Sequence, residues 1–363
     1  MAAQRIKVMI VDDSAVMRQT LSQIFASDAE LEVIGAHSNP IFAMNAMQQL
    51  WPDVIVLDVE MPGMDGITFL KTLMKTNPLP VIICSSLTVD GAATTLEALQ
   101  AGAIEIIAKP LGGLKAHFAS MAHDMVRAVK SAARANVRGS QRVSSGVIDG
   151  AVKEGLLKNA QQQLQAVAGK AMSETTDRII AIGTSTGGTQ ALDFLVQQLP
   201  ITVPGIVVVQ HMPEAFTKAF AERLDKCSVV KVKEAEDNER ILPGHVYIAR
   251  GGRHLEIRRQ GAYYYTVVKD GAPVSRHKPS VNVLFSSVAT HAGKNAFGFI
   301  LTGMGDDGAR GLLEMRNAGA RTYAQDEASC VVFGMPKEAI KLGAVQQTES
   351  LSDLAKLMAA IKG

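Results

Sequence analysis

Short apolar runs alternate with helix-periodic stretches twice along this chain, once before residue 130 and again after residue 177. That repetition restricts the fold more than any other feature. In the first round, strand-type runs fall at Lys7-Val8-Met9-Ile10-Val11, Leu31–Ala36, Val54–Leu57, Val81–Cys84 and Ala103–Ala108. Helical patterns lie between them at Ser14–Ala26, Pro40–Leu50, Ile67–Thr76 and Ala92–Ala101, with a last one ending near Ala133. In the first of these, Val16, Met17, Leu21, Ile24 and Phe25 share one face. Continuous apolar strands separated by helices need cover on both faces, which predicts a doubly wound α/β sheet of parallel strands.

The second round has strand-type runs at Ile179–Ile182, Ile206–Val209, His245–Ala249, His254–Ile257, Tyr263–Val268, Ala296–Leu301 and Arg321–Ala324. Helical patterns follow Ser185, Pro213, Ser280, Asp307 and Pro336. A hairpin is expected around Arg258-Arg259-Gln260-Gly261, so this Rossmann-like sheet is expected to be mixed. Between the rounds, Arg134, Arg138 and Arg142 sit among Ser, Gly, Asn and Gln, and no aromatic occurs between Phe118 and Phe194. That is linker composition, with Val152, Leu156, Ala160 and Leu164 spaced for a short amphipathic helix. The expected organisation is a domain over 1–130, a linker over 131–176 and a second domain over 177–363.

Several function classes recede. A net charge of +2, no aromatics among the basic residues and no helix-turn-helix pattern argue against nucleic acid. No apolar run approaches the roughly 20 residues of a membrane span. Cys84, Cys227 and Cys330 are too scattered for a metal set or disulfide framework. The first strand starts within a few residues of Met1, leaving no signal peptide, and the expected location is the cytoplasm.

Ligands bind outside the carboxyl ends of parallel strands. In the first half those ends carry Asp12 and Asp13, Asp58, Ser85 and Lys109. Three converging carboxylates repel unless a cation lies among them, and oxygen-only ligands suit Mg²⁺. Asp58 is then a candidate nucleophile for phosphoryl transfer, with Ser85 and Lys109 placed to contact the phosphoryl oxygens. The plainer alternative is that Asp13 caps the first helix and Asp58 is a solvated strand end. The motifs "VDDS", "LDVEMPGMDG", "CSSLT" and "AKP" resemble the response-regulator receiver family over nearly all of residues 5–125. The resemblance implies a flavodoxin-like fold, Asp58 as phosphoacceptor, Asp12 and Asp13 as metal carboxylates, and Ser85 as the switch hydroxyl. Ile106 stands where many receivers carry an aromatic switch residue.

In the second half, Gly183-Thr184-Ser185-Thr186-Gly187 has the G-x-S-x-G form of a nucleophile elbow, directly after a strand and before a helix. A phosphate-cradling turn or a plain helix cap fits the same pattern, although no Lys-Ser/Thr follows as in a P-loop. A base is needed, and His211 ends the strand at 206–210. His245 and His254 flank the hairpin, away from that edge, and His277 sits in a basic loop where it could touch substrate. Asp306 and Asp307, in the turn after residue 301, both offer the orienting carboxylate. Backbone N–H groups of Thr186 and Met304 are the candidate oxyanion donors.

The segments "IAIGTSTGG", "VVVQHMPEAFTKAFAERL", "SRHKPSVNVLFSSVA", "ILTGMGDDGARGL" and "AQDEASCVVFGMPKEAI" resemble the catalytic domain of the chemotaxis protein-glutamate methylesterases over residues 178–345. That resemblance implies Ser185 as nucleophile, His211 as base and Asp307 as the orienting carboxylate. It further implies methyl-ester hydrolysis and glutamine deamidation on chemoreceptors, with a chemotaxis histidine kinase as phosphodonor. Departures from the family pattern are Thr184, Arg250 and Asn282. A receiver joined to an esterase implies control of substrate access by phosphorylation; an interaction protein with a degenerate esterase domain is the alternative.

Overall fold

The computed structural model describes residues 5–61, 66–86, 89–109, 115–136 and 177–362. The chain divides into two units, Met1–Gln141 and Arg142–Gly363. The expected linker beyond residue 136 and its amphipathic helix lie outside the described residues.

In the first unit the apolar runs form β1 (Ile6–Val11), β2 (Leu31–His37), β3 (Val54–Leu57), β4 (Val81–Ser85) and β5 (Glu105–Ala108). They pair in the order β2-β1-β3-β4-β5, every pair parallel. The intervening helices are α1 (Ala15–Ala26), α2 (Pro40–Met47), α3 (Gly66–Thr76), α4 (Val89–Gln100) and α5 (Lys115–Ala132). Ser14 caps α1 by accepting from Met17 N, and Asn39 caps α2 by accepting from Phe42 N. The predicted doubly wound sheet is therefore present, with the direction of strand addition reversing between β1 and β3. Their carboxyl ends carry Asp12, Asp13 and Asp58.

The second unit contains β6 (Ile179–Thr184), β7 (Gly205–Gln210), β8 (Lys231–Glu234), β9 (His245–Ile248), β12 (Ala296–Ile300), β13 (Arg321–Gln325) and β14 (Gln347–Glu349). Their order is β14-β13-β12-β6-β7-β9-β8, and each pairing is parallel. The helices are α6 (Gly188–Val196), α7 (Glu214–Cys227), α8 (Val281–Ala292), α9 (Ala309–Asn317), α10 (Met335–Lys341) and α11 (Leu351–Ala360). The hairpin β10 (His254–Gln260) and β11 (Tyr263–Lys269) forms as expected, but as a separate antiparallel sheet of two strands. The expectation of a mixed sheet is thus corrected. The reason lies in the hairpin's one apolar face: Leu255, Ile257 and Tyr264 join Leu284, Phe285 and Val288 of α8 in the core. A strand covered on one side serves as a lid over a helix, whereas the main sheet needs strands that are apolar on both faces. Sequence periodicity also missed β8 and β14, because Lys231-Val232-Lys233-Glu234 and Gln347-Thr348-Glu349 are polar edge strands.

Because β6 lies between β7 and β12, its carboxyl end is the topological switch point, where a ligand crevice opens. The helix α8 packs closely under this end. A Cβ on Gly183 would lie 2.1 Å from Val281 Cγ1 and 3.1 Å from Phe285 Cζ. We expect Gly183→Ala to destabilise this unit by about 1–3 kcal/mol through overpacking, read as a lower melting temperature. An unchanged melting temperature would show that α8 yields at no cost.

Candidate functional site

Ser185 follows β6 directly and is 8% exposed. Its N–H donates to Thr302 O at 3.0 Å, and Thr184 Oγ1 donates to the same carbonyl at 2.9 Å. On the other side, Gln210 Nε2 donates to Ser185 O at 2.9 Å and to His211 O at 3.0 Å. The serine peptide is therefore held by both neighbouring strand ends. The turn closes through Gly188 N to Ser185 O, 2.8 Å. Positive φ falls on Gly187 (79°), the N-cap of α6, and not on the serine. No side chain caps this helix start.

His211 extends from the end of β7, with Nε2 2.8 Å from Asp307 Oδ2. Asp307 is 1% exposed and sits at the start of α8. Its Oδ1 accepts from Ser280 Oγ (2.7 Å) and Asn282 N (3.1 Å), and its Oδ2 accepts from Val281 N (2.7 Å). Burial by itself would raise this carboxyl's pKa. The His211 bond and charge, with the Ser280 and Asn282 bonds, outweigh burial and hold it below the ordinary value. Such a depressed acid adds stability above its unfolded pKa, and that stability is lost as pH falls through the folded value. An ionised acceptor carries no proton, so the hydrogen lies on His211 Nε2. The opposite nitrogen, Nδ1, is buried with no hydrogen-bond partner among the described residues, a lone pair ready to accept a proton. The ring nitrogens are thus exchanged relative to serine-protease triads, where Nδ1 meets the carboxylate.

Geometry separates the two candidate aspartates. Asp306 is exposed and lies 3.9 Å from Arg276, while Asp307 meets the histidine. Of the backbone candidates, Met304 follows Gly303, where a Cβ would lie 2.8 Å from Ser185 Cβ. Thr186 adjoins the serine, and its carbonyl accepts from Thr302 Oγ1 at 2.9 Å. His245 sits at the opposite, amino end of β9, its Nδ1 2.9 Å from Pro243 O. His254 is nearer the site than the sequence suggests. It is buried, donates from Nε2 to Ala272 O at 3.0 Å, and accepts from Ser280 N at Nδ1, 3.3 Å. His277 stacks flat on His211, ring centroids 3.7 Å apart and planes within 8°.

In the first unit, Asp12, Asp13 and Asp58 each offer a carboxylate oxygen within 4.8 Å of the others. Asp12 and Asp58 are buried and Asp13 is exposed. Asp12 Oδ1 accepts from Ser14 N at 2.8 Å, and Ser14 rather than Asp13 caps α1, its Oγ accepting from Met17 N at 3.3 Å. Asp58 Oδ1 accepts from Glu60 N at 2.9 Å. Lys109 Nζ lies 2.6 Å from Asp58 Oδ2 and 3.3 Å from Asp12 Oδ2, and that second oxygen is buried without a hydrogen bond among the described residues. Burial foremost, and then the Asp58 charge, raise the Asp12 carboxyl above its ordinary value against the pull of Lys109. Burial alone would lower Lys109, but its bond to Asp58 and the two negative charges raise it. An unbonded buried oxygen, two further carboxylates and an exposed side suit a hard, partly hydrated cation such as Mg²⁺. Ser85, fully buried, accepts from Thr95 Oγ1 at 2.8 Å and donates to Ser86 O at 3.2 Å. Its hydroxyl thereby ties the end of β4 to α4.

The CheB methylesterase family model matches residues 180–358, and the response regulator receiver domain model matches residues 8–117. The chain is 56% identical over 351 residues to protein-glutamate methylesterase/protein-glutamine glutaminase 2 of Chromobacterium violaceum, covering 97% of this chain and 98% of that protein. This chain belongs to the CheB methylesterase family. It is also 57% identical to protein-glutamate methylesterase/protein-glutamine glutaminase 1 of Pseudomonas savastanoi pv. phaseolicola, over 98% of each. The crystal structure of the Thermotoga maritima CheB methylesterase catalytic domain aligns with 38% identity and a TM-score of 0.49, covering 50% of this chain and 97% of that one.

Within this methylesterase, sequence reading missed Gln210, Ser280, Thr302 and Gln325. Gln325 Oε1 accepts from Thr302 N at 2.9 Å, so it supports the carbonyl that holds Ser185. For Gln210, Thr302 and Gln325 the available signal was a polar residue at the end of a strand; Ser280 is instead the N-cap of α8. The departures from family pattern have local partners. Thr184 joins the Thr302 carbonyl, Arg250 pairs with Glu214 at 2.7 Å, and Asn282 bridges Ser275 Oγ and Gly311 N. Among the described residues no helix is long and apolar enough to cross a membrane, and all three cysteines are free.

A carboxyl whose pKa rises on folding costs stability when ionised. At neutral pH and without divalent cation, Asp12→Asn should therefore raise the receiver's melting temperature. A lower melting temperature would mean that pairing with Lys109 outweighs burial.

Proposed function

We propose that this methylesterase hydrolyses glutamyl γ-methyl esters, and deamidates glutamines, on chemoreceptors, under the control of phosphorylation at Asp58. In this reading residues 1–130 are the receiver, 131–176 a linker and 177–363 the catalytic domain, working in the cytoplasm. The observation that carries it is the His211–Asp307 pair at 2.8 Å, with the unpartnered Nδ1 at the strand end beside Ser185.

Ser185 Oγ attacks the ester carbonyl while His211 Nδ1 takes its proton. Asp307 stabilises the resulting imidazolium through Nε2–H. Backbone N–H groups of Thr186 and Met304 receive the oxyanion. His211 then returns the proton to the methoxy leaving group, methanol departs, and water clears the acyl-enzyme by the same route. With a glutamine substrate the leaving group is ammonia. The names of the relatives support both substrates.

In the receiver, Asp58 accepts a phosphoryl group from a chemotaxis histidine kinase. Asp12, Asp13 and Asp58 would hold Mg²⁺, whose charge neutralises the phosphoryl oxygens when bound. Lys109 Nζ, now on Asp58 Oδ2, is positioned to move onto a phosphoryl oxygen, and the Ser85 hydroxyl is the switch group. Breaking the Ser85–Thr95 bond would carry the change into α4.

Two measurements test these roles. Ser185→Ala should lower methanol release from methyl-labelled receptor membranes by about 10⁴-fold or more; retention of activity rejects the nucleophile. Asp58→Asn should abolish the increase in that release on adding acetyl phosphate and Mg²⁺. Equal stimulation in variant and parent would reject Asp58 as the phosphoacceptor.

A further inference from the structure

We propose that His277 is a positioning residue for the general base: its ring, lying flat on His211, fixes the plane in which His211 moves a proton. The inference rests on the reading of His211 as the base. Asp307 holds only Nε2, while Nδ1 has no hydrogen-bond partner among the described residues. A ring gripped at one nitrogen can swing about that contact and carry the other out of line with the serine. A second ring in parallel contact, 3.7 Å away, removes that freedom. Misalignment matters because a displacement of about 1 Å in a reacting group can cost around 10²-fold in rate.

His277 is itself held firmly. Val274 and His277 exchange both backbone hydrogen bonds, at 3.1 and 2.9 Å, closing a two-residue turn. Ser275 and Arg276 occupy that turn with φ of 49° and 69°. Glycine, asparagine and aspartate usually take such positions, so the conformation persists only where its surroundings enforce it. The enforcing contacts are present. Ser275 Oγ accepts from Asn282 Nδ2 at 3.1 Å, and Asn282 Oδ1 accepts from Gly311 N at 2.8 Å. His254 fastens Ala272, at the other end of the loop, to Ser280. Asn282 and Ser280 are also residues that bond Asp307. One helix start therefore fixes the carboxylate, and through the turn it fixes the stacked ring.

The test uses the full chain and methyl-labelled receptor membranes, with working sites counted by fluorophosphonate labelling of Ser185. His277→Phe keeps a flat ring, and His277→Leu keeps comparable bulk without one. Per labelled site, His277→Leu should lower kcat by about 10- to 100-fold with KM within about twofold, and His277→Phe should stay within about fivefold of the parent. Counting sites removes any loss due to misfolded protein. Equal kcat in the two variants overturns the proposal. So does a rise in KM with kcat intact, which would make His277 a substrate contact. If His211→Ala keeps its activity, the base assignment itself fails. If His211→Ala is inactive and His277→Leu matches the parent, only the stacking role fails.

Discussion

The buried carboxylate of Asp307 is the constraint around which the catalytic unit is arranged. An ion with 1% exposure is tolerated only where donors surround it, and here four converge: Ser280 Oγ, two backbone N–H groups of α8 and His211 Nε2. The first three come from a helix start, where free N–H groups and the helix dipole already favour a negative charge. One residue after the β12 turn thus joins three elements, namely the end of β7, the start of α8 and its own loop. The proton position on His211 follows from this arrangement, because an anion at Nε2 leaves Nδ1 as the basic nitrogen.

The receiver solves a related problem in the opposite sense. Asp12 is also buried, but its neighbours do not fully compensate it. One Asp12 oxygen lacks a hydrogen bond among the described residues, and its carboxyl is pushed up rather than down. Lys109 supplies one positive charge to two carboxylates. A buried carboxylate left short of positive charge costs stability and suits a cation. The complete set of donors around Asp307 contrasts with the incomplete set around Asp12.

Much of this was legible in the sequence. The β1, β3, β6, β7 and β12 runs are buried on both faces, so their apolar continuity was a direct signal, and the residues that end them fell where expected. Hydrogen-bond networks were less legible. Gln210, Thr302 and Gln325 look like ordinary polar strand ends, and only the lateral strand order brings them around one serine peptide. Asp306 and Asp307 were inseparable by spacing, since the choice depends on the distant start of α8. The His277 stack was hidden for the same reason: a turn that Ser and Arg seldom adopt gives no glycine signature. The mixed sheet was misread because a hairpin in sequence does not say which layer it joins.

The capping role of Asp307 has a consequence for descent. Ser185 is tied to the fold through its backbone N–H and carbonyl, so a lineage could lose the hydroxyl and keep its architecture. Asp307 is different, because three of its four partners belong to the opening turn of α8. A catalytically silent descendant of this unit would still be under pressure to retain that aspartate. Its presence alone therefore marks the scaffold, and the proposed reaction is marked by the serine.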